Sequence, residues 1–192
     1  MLHSILQVWG GAFYLLQKIF LSAAERSGQQ WQRRWRIWSW IVYLIGLPAW
    51  VAIFASPDNR NWIAAAVETA GAPSMLVGLI IALRGHGHQP RWLDHLAKVM
   101  IVIGLGFSLY DFGGITTINQ VCELALAAGF LGGTYLLAIQ RPAGYLWFML
   151  MNAANAVLML RQDYFWLTIQ QLASLAFIID AYRVQRKKIV AQ

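Results

Sequence analysis

Two carboxylates and several side-chain amides fall where water is scarce. Glu68, Glu123, Asn119, Gln120, Asn152, Asn155, Gln170 and Gln171 all lie inside long apolar runs. A charged group at mid-bilayer costs about 2.5–3.5 kcal/mol on insertion scales, so Glu68 and Glu123 are expected to face a bundle interior or a wet cavity. Tyr145, Phe148, Asn152 and Asn155 are spaced 3, 4 and 3 apart, which at about 100° per residue confines them to a helical stripe about 80° wide. Two aromatic faces and two amides suit a solute with a flat ring and hydrogen-bonding edges. The same stripe would also serve plain interhelical packing, with Asn as polar glue. Asn119 and Glu123 stand one turn apart, and Ala125, Gly129 and Gly133 form a small-residue track suited to close packing. Gln170 and Gln171 point about 100° apart, and Gln171 is the one expected at a shared cavity.

Other chemistries find little footing. His86, His88, Asp94 and His95 lack a recognised metal-ligand spacing, and Asp180 with Arg183 reads as an interfacial ion pair. No nucleophile and base stand at a telling spacing, no glycine-rich phosphate loop precedes a helix, and no metalloprotease motif occurs. The expectation is a protein that is not an enzyme and carries neither cofactor nor metal.

The elements that hold these residues are apolar helices. Of 192 residues 59% are hydrophobic and only 12% charged, with a mean hydropathy of +0.51, against roughly 25% charged in a soluble domain. The runs are apolar on nearly all sides, which excludes the alternating strands of a membrane barrel. Seven transmembrane helices are predicted, over 2–22, 37–55, 62–83, 95–111, 117–139, 143–160 and 164–182. A 19-residue run such as 37–55 covers about 28 Å, close to the thickness of the hydrocarbon core. The first run is the weakest, being interrupted by His3, Gln7, Gln17 and Lys18. It has no basic n-region and no small-residue cleavage site, so it reads as a retained span. Trp38, Trp40, Trp62, Trp92 and Trp166 sit near span ends as interfacial anchors. Gly46, Pro48, Gly71 and Pro73 are candidates to kink the second and third spans. A single cysteine, Cys122, precludes an intrachain disulfide.

Charge segregates between the loops. Arg26, Arg33, Arg34, Arg36, Arg84, Arg91, Arg141, Arg183, Arg186, Lys187 and Lys188 fall on one side if seven spans alternate, and only Arg60 and Arg161 on the other. The positive-inside rule then predicts a cytoplasmic C-terminus and an external N-terminus, in a bacterial cytoplasmic (inner) membrane. Topology and anionic lipid account for the basic loops without nucleic acid. Aligning Trp62 with Trp166 pairs the second and third spans with the sixth and seventh, giving a 3+1+3 parallel repeat. The expected division is a first three-helix bundle over 1–84, a linker helix over 85–112 and a second bundle with its basic tail over 113–192.

From Gln140 to Lys188 the chain resembles the PnuC-type vitamin transporters. A short basic turn leads into GYLWFMLMNAANAVLMLRQDYFWLTIQQLASLAFIIDAYRVQRKK, and the length and basic tail also fit. In that family a Trp-x-x-Trp-x-x-Tyr/Phe pattern followed by Asn contributes to the substrate site. The matching positions are Tyr145, Phe148, Met151 and Asn152, and only the Asn is kept. The resemblance implies a facilitator importing a vitamin-like or nucleoside-like solute, such as nicotinamide riboside or thiamine, by alternating access. The lost Trp residues weaken stacking and shift the expectation toward the wider substrate range of the family. Tyr145, Phe148, Asn152, Asn155, Glu68, Asn119, Glu123 and Gln171 are the expected binding residues, the partners being the solute and membrane lipid, with a homo-oligomer left open. The competing expectation is a non-transporting membrane scaffold. The charge segregation carries the first prediction: a reporter fused after Gln192 is active only in the cytoplasm, and a cysteine placed in 56–61 is labelled from outside. Labelling of that cysteine only after permeabilisation would overturn the orientation.

Overall fold

A computed structural model describes residues 2–56, 62–111, 117–161 and 163–190. Arg60 and the rest of 57–61, the boundary at 112–113 and Gln192 lie outside them. Among the described residues every regular element is helical: α1 (Leu2–Arg26), α2 (Gln29–Ala55), α3 (Trp62–Ala70), α4 (Ala72–Arg84), α5 (Arg91–Asp111), α6 (Ile118–Ala138), α7 (Ala143–Arg161) and α8 (Phe165–Val190). The α3 and α4 segments are two parts of one broken helix. Six helices, Gln29–Ala55, Trp62–Arg84, Arg91–Tyr110, Ile118–Ala138, Ala143–Arg161 and Phe165–Val190, are long and apolar enough to cross a bilayer. Large apolar side chains such as Val102, Phe107, Leu146, Val157 and Leu172 are exposed, a surface suited to hydrocarbon. The chain is a multi-pass, all-helical integral membrane protein.

Several sequence expectations need correction. The first helix does not meet the same criterion, because Gln7, Gln17, Lys18, Ser22 and Glu25 dilute its hydropathy. It is held by its neighbours instead. Along α2 it runs antiparallel, from the Trp9 Nε1 bond to the Ile45 carbonyl (3.2 Å) to the Glu25–Arg36 ion pair. Along α8 it runs parallel, with Gln170 donating to the Gly11 carbonyl (2.6 Å) and Arg26 Nε to Asp180 (2.8 Å). Asp180 therefore pairs directly across helices with Arg26, while the expected partner Arg183 acts on it only at longer range. The basic segment 23–36 is almost wholly helical, with Ser27 and Gly28 alone between α1 and α2. Hydropathy marks where a helix leaves the membrane, and its backbone bonds continue into water. Trp40 is 3% exposed and is a core residue, unlike Trp62 and Trp166 at 67% and 84%. It packs on Gly78, where an added Cβ would collide with its ring.

Only one of the two Gly/Pro pairs breaks its helix. The α2 helix passes through Pro48, whereas α3 stops at Ala70 and α4 restarts at Ala72. Pro73 has no N–H for the Thr69 carbonyl, and Gly71 N–H turns to the Glu68 carbonyl (3.1 Å). In the corresponding place of the proposed repeat, α8 is unbroken over 26 residues. Around the bundle α1, α2, the α3/α4 helix, α6, α7 and α8 pack in that order, and α8 returns to α1. The α5 helix lies outside this ring, against α3, α4 and α6. One face of α1 therefore looks across the ring toward α3 and α7.

Glycines on α6 bring it close to the backbone of α7. A Cβ on Gly129 would sit 2.6 Å from the Trp147 carbonyl oxygen, and one on Gly133 2.6 Å from the Phe148 ring. Backbone cannot yield as a flexible side chain can, so Gly129→Ala should destabilise by about 1–3 kcal/mol. Gly132→Ala, with nothing within 4 Å of its Cβ, is the control. Thermal unfolding in detergent reads both, and equal midpoints would refute the seam.

Candidate functional site

Inside the ring lies a charged residue that the hydropathy reading passed over. Tyr14, Lys18, Leu21 and Glu25 are spaced 4, 3 and 4 apart, which puts them on one face of α1. Lys18 is 1% exposed. Its Nζ lies 4.7 Å from the centre of the Phe148 ring, 4.8 Å from Tyr43 and 5.3 Å from Tyr14. Ring faces are electron-rich, so this box compensates part of the ammonium's desolvation. The rings brace one another: Tyr14 meets Tyr43 edge to face at 4.8 Å, and Tyr43 meets Phe148 at 6.3 Å. Tyr14 Oη donates to Glu68 Oε2 (2.9 Å), which spans the ring from α1 to α3. The Tyr43 and Thr134 hydroxyls are 3.3 Å apart, which spans it from α2 to α6.

Phe148 meets this box directly, and Asn152 lies one turn farther along α7. Phe148 is fully buried and forms one wall. Asn152, 1% exposed on the same face of α7, donates Nδ2 to the Phe148 carbonyl (2.6 Å), while its Oδ1 has no partner among the described residues. Such an acceptor is costly to leave unmade in a dry interior. Trp147, on another face of the helix, is 40% exposed.

Tyr145 is buried but serves a different layer. Its hydroxyl donates to Glu25 Oε1 (3.0 Å), which also accepts from Arg36 Nη2 (2.8 Å). Nearby, Asp180 accepts from Ser22 and from both Arg26 Nε and Nη2. Arg33 donates to the Ala82 and Leu83 carbonyls at the end of α4, where a helix leaves acceptors unpaired. These contacts close the basic end of the ring. The cavity left there, lined by Arg36, Trp40, Gln140, Arg141, Tyr145 and Gln185, holds about 10 Å³, hardly the room of one water molecule.

The remaining predicted residues lie toward the other end. Asn155 is half-buried, about one turn beyond Asn152. Glu123 follows the start of α6 by five residues, and 11 residues separate it from Thr134, about 16 Å along the helix. It is half-buried and has a partner, so it belongs to a layer distant from Lys18. Asn119 lies one turn before it, half-buried, with a buried Oδ1 that meets no partner among the described residues. Gln120 is a capping residue: its Oε1 accepts from Thr117 N–H (2.8 Å) and its own N–H donates to Thr117 Oγ1 (3.3 Å). Gln171 is half-buried, and its neighbour Gln170 is the one that reaches α1. There an open groove of about 460 Å³ runs between α1 and the start of α8, lined by Gln7, Gly11, Tyr164, Trp166 and Gln170 among others. No group of three or more potential metal ligands gathers among the described residues.

No family model, no curated protein and no solved structure matches the chain. The layer at the basic end supplies a direct test. Glu25→Gln leaves the largely buried Arg36 without its carboxylate, whereas Tyr145→Phe removes one neutral donor. The expected losses are about 3 kcal/mol and about 1 kcal/mol, read as thermal midpoints in detergent. The reverse order would refute Glu25 as the centre of this layer.

Proposed function

We propose that the chain is a facilitative transporter of the PnuC type, moving a small ring-bearing solute, vitamin-like or nucleoside-like, through the centre of the helix ring. The observation that carries this reading is the Lys18 box with the unpaired Asn152 acceptor beside it. A scaffold would gain nothing by keeping an ammonium and an unmade hydrogen bond inside a membrane, where each reduces stability. A solute with a flat ring and a donor would pair with both Phe148 and Asn152. The resemblance over residues 140–188 points to the same helix.

The rest of the reading follows from the packing. Six helices form the ring and α5 lies outside, as a 3+1+3 arrangement requires, with α1 as a seventh span carried by α2 and α8. The break at Gly71, absent from α8, makes the two repeats unequal. If α1 to α4 rock against α6 to α8, the contacts that must break at the basic end are Tyr145 with Glu25 and Asp180 with Ser22 and Arg26. At the other end Gln170 with Gly11 must hold or break in turn. In the proposed orientation the basic end is cytoplasmic and the bilayer a bacterial inner membrane. The solute is moved and not chemically changed.

Proteoliposomes loaded with the purified chain and offered a radiolabelled panel of vitamins and nucleosides test the function, and uptake of none would refute it. With any transported solute, Phe148→Ala and Asn152→Ala should each weaken binding by about 5-fold to 150-fold, from a stacking contact or buried hydrogen bond worth roughly 1–3 kcal/mol. Trp147→Ala should leave binding unchanged. Loss on Trp147→Ala, with binding retained in the other two, would mean that the wrong face of α7 has been chosen.

A further inference from the structure

We propose that the solute carries an anionic group, such as a carboxylate, which docks on Lys18, and that permanently cationic solutes are excluded. This rests on the transport reading and narrows its substrate class. Among the described residues no carboxylate oxygen lies within 4 Å of Lys18 Nζ. Both carboxylates on this side of the ring are engaged elsewhere: Glu68 by the Tyr14 hydroxyl, and Glu25, two turns along the same face of α1, by Arg36 and Tyr145. The ammonium lies nearer Phe148 and Tyr43 than Tyr14, and the Glu68 carboxylate held by Tyr14 attracts it from beyond ion-pair distance. Its close contacts are three ring faces, with Glu68 acting only at longer range, and cation–π contacts are weaker than a charge-assisted hydrogen bond to an anion. An anion would therefore draw the ammonium off the rings and free those faces for the solute's own ring.

Aromatic boxes ordinarily recruit cationic ligands. Here the box already holds the chain's own cation, so a second one would meet both its bulk and its charge within a few ångströms, where screening by water is lost. The Asn152 Oδ1 acceptor adds a further requirement, a donor N–H or O–H on the solute. The class is thus a ring acid with a hydrogen-bond donor, which departs from the cationic nicotinamide riboside and thiamine that the family resemblance suggests.

Charge-matched probes decide the matter in the purified full chain in lipid nanodiscs. One series is nicotinate, nicotinamide and 1-methylnicotinamide; the other is indole-3-acetate, indole-3-acetamide and tryptamine. Equilibrium binding should favour the anion over the neutral amide by about tenfold or more in at least one series, with the cation weakest. Lys18→Gln should abolish that preference and Lys18→Arg should retain it. If Lys18→Gln yields no monodisperse protein, the order within the wild-type series and its retention in Lys18→Arg decide. Preference for the neutral or cationic member, or an anion preference that survives in a folded Lys18→Gln, overturns the role of Lys18 and leaves the transport reading standing. Binding of no member of either series also overturns the role of Lys18, and the proteoliposome panel alone decides the transport reading.

Discussion

An ammonium withdrawn from water into a ring of apolar helices costs more than any one contact returns, so the surroundings of Lys18 are organised to offset it. Three rings from three helices converge on the group: Tyr14 from α1, Tyr43 from α2 and Phe148 from α7. Each ring is positioned by something else. Tyr14 is held by Glu68, Tyr43 by Thr134, and Phe148 by the close approach of its helix to Gly133. The glycine seam between α6 and α7 is therefore connected to the charge: a larger residue at Gly133 would displace the wall against which Lys18 rests. Packing and electrostatics are here one constraint.

The break at Gly71 belongs to the same arrangement. Glu68 is the last-turn residue of α3, and its carbonyl accepts from Gly71 N–H. A Cβ at Gly71 would stand 2.6 Å from the Phe130 ring, and Phe130 in turn lies edge-on to Tyr43 at 6.2 Å. The missing side chain admits Phe130, and the missing Pro73 donor loosens the helix just where it carries its carboxylate. The fully continuous α2, also with an internal proline, shows that proline alone does not decide: α2 is braced along its length by α1, whereas no contact joins α3 to α1 except through side chains that reach across the ring.

What could be read from the sequence follows the same physics. Periodicity found the inner face of α7, since Phe148 and Asn152 are buried and Trp147 is exposed, because an apolar run with two amides at helical spacing has one sensible inner side. Insertion cost singled out Glu68, but its partner Tyr14 is 54 residues away, and no local pattern links them. Lys18 counts against the first span as a polar interruption, yet the insertion cost that singles out Glu68 applies equally to a lysine. The spacing of Tyr14, Lys18, Leu21 and Glu25 was the signal that could have found it. Glu123 lies in the second turn of α6, a depth that a window average cannot distinguish from the middle of a helix. Tyr145 is buried and reaches Glu25 at the basic end, a contact that no local pattern shows, since only the length of α1 beyond the apolar run brings Glu25 beneath it.

The inter-helix contacts are distributed unevenly along the ring, and this bears on how such a ring could move. At the basic end ionic and hydroxyl contacts tie α1 to α2, α7 and α8, all through Glu25, Ser22 and Arg26 in the last two turns of α1. At the opposite end the contacts from α1 include a Trp9 bond to a backbone carbonyl, a Gln170 bond to another, and ring contacts such as Tyr14 with Trp50. Charged contacts in a partly dry site have directional, short-range energy and break sharply, whereas stacked rings slide at little cost. A displacement of α1 would therefore be resisted mainly at its basic end. Because Lys18 lies two turns from Glu25 on the same face, a shift of that end also moves the ammonium against its rings, which couples the state of the closed end to the charge at the centre.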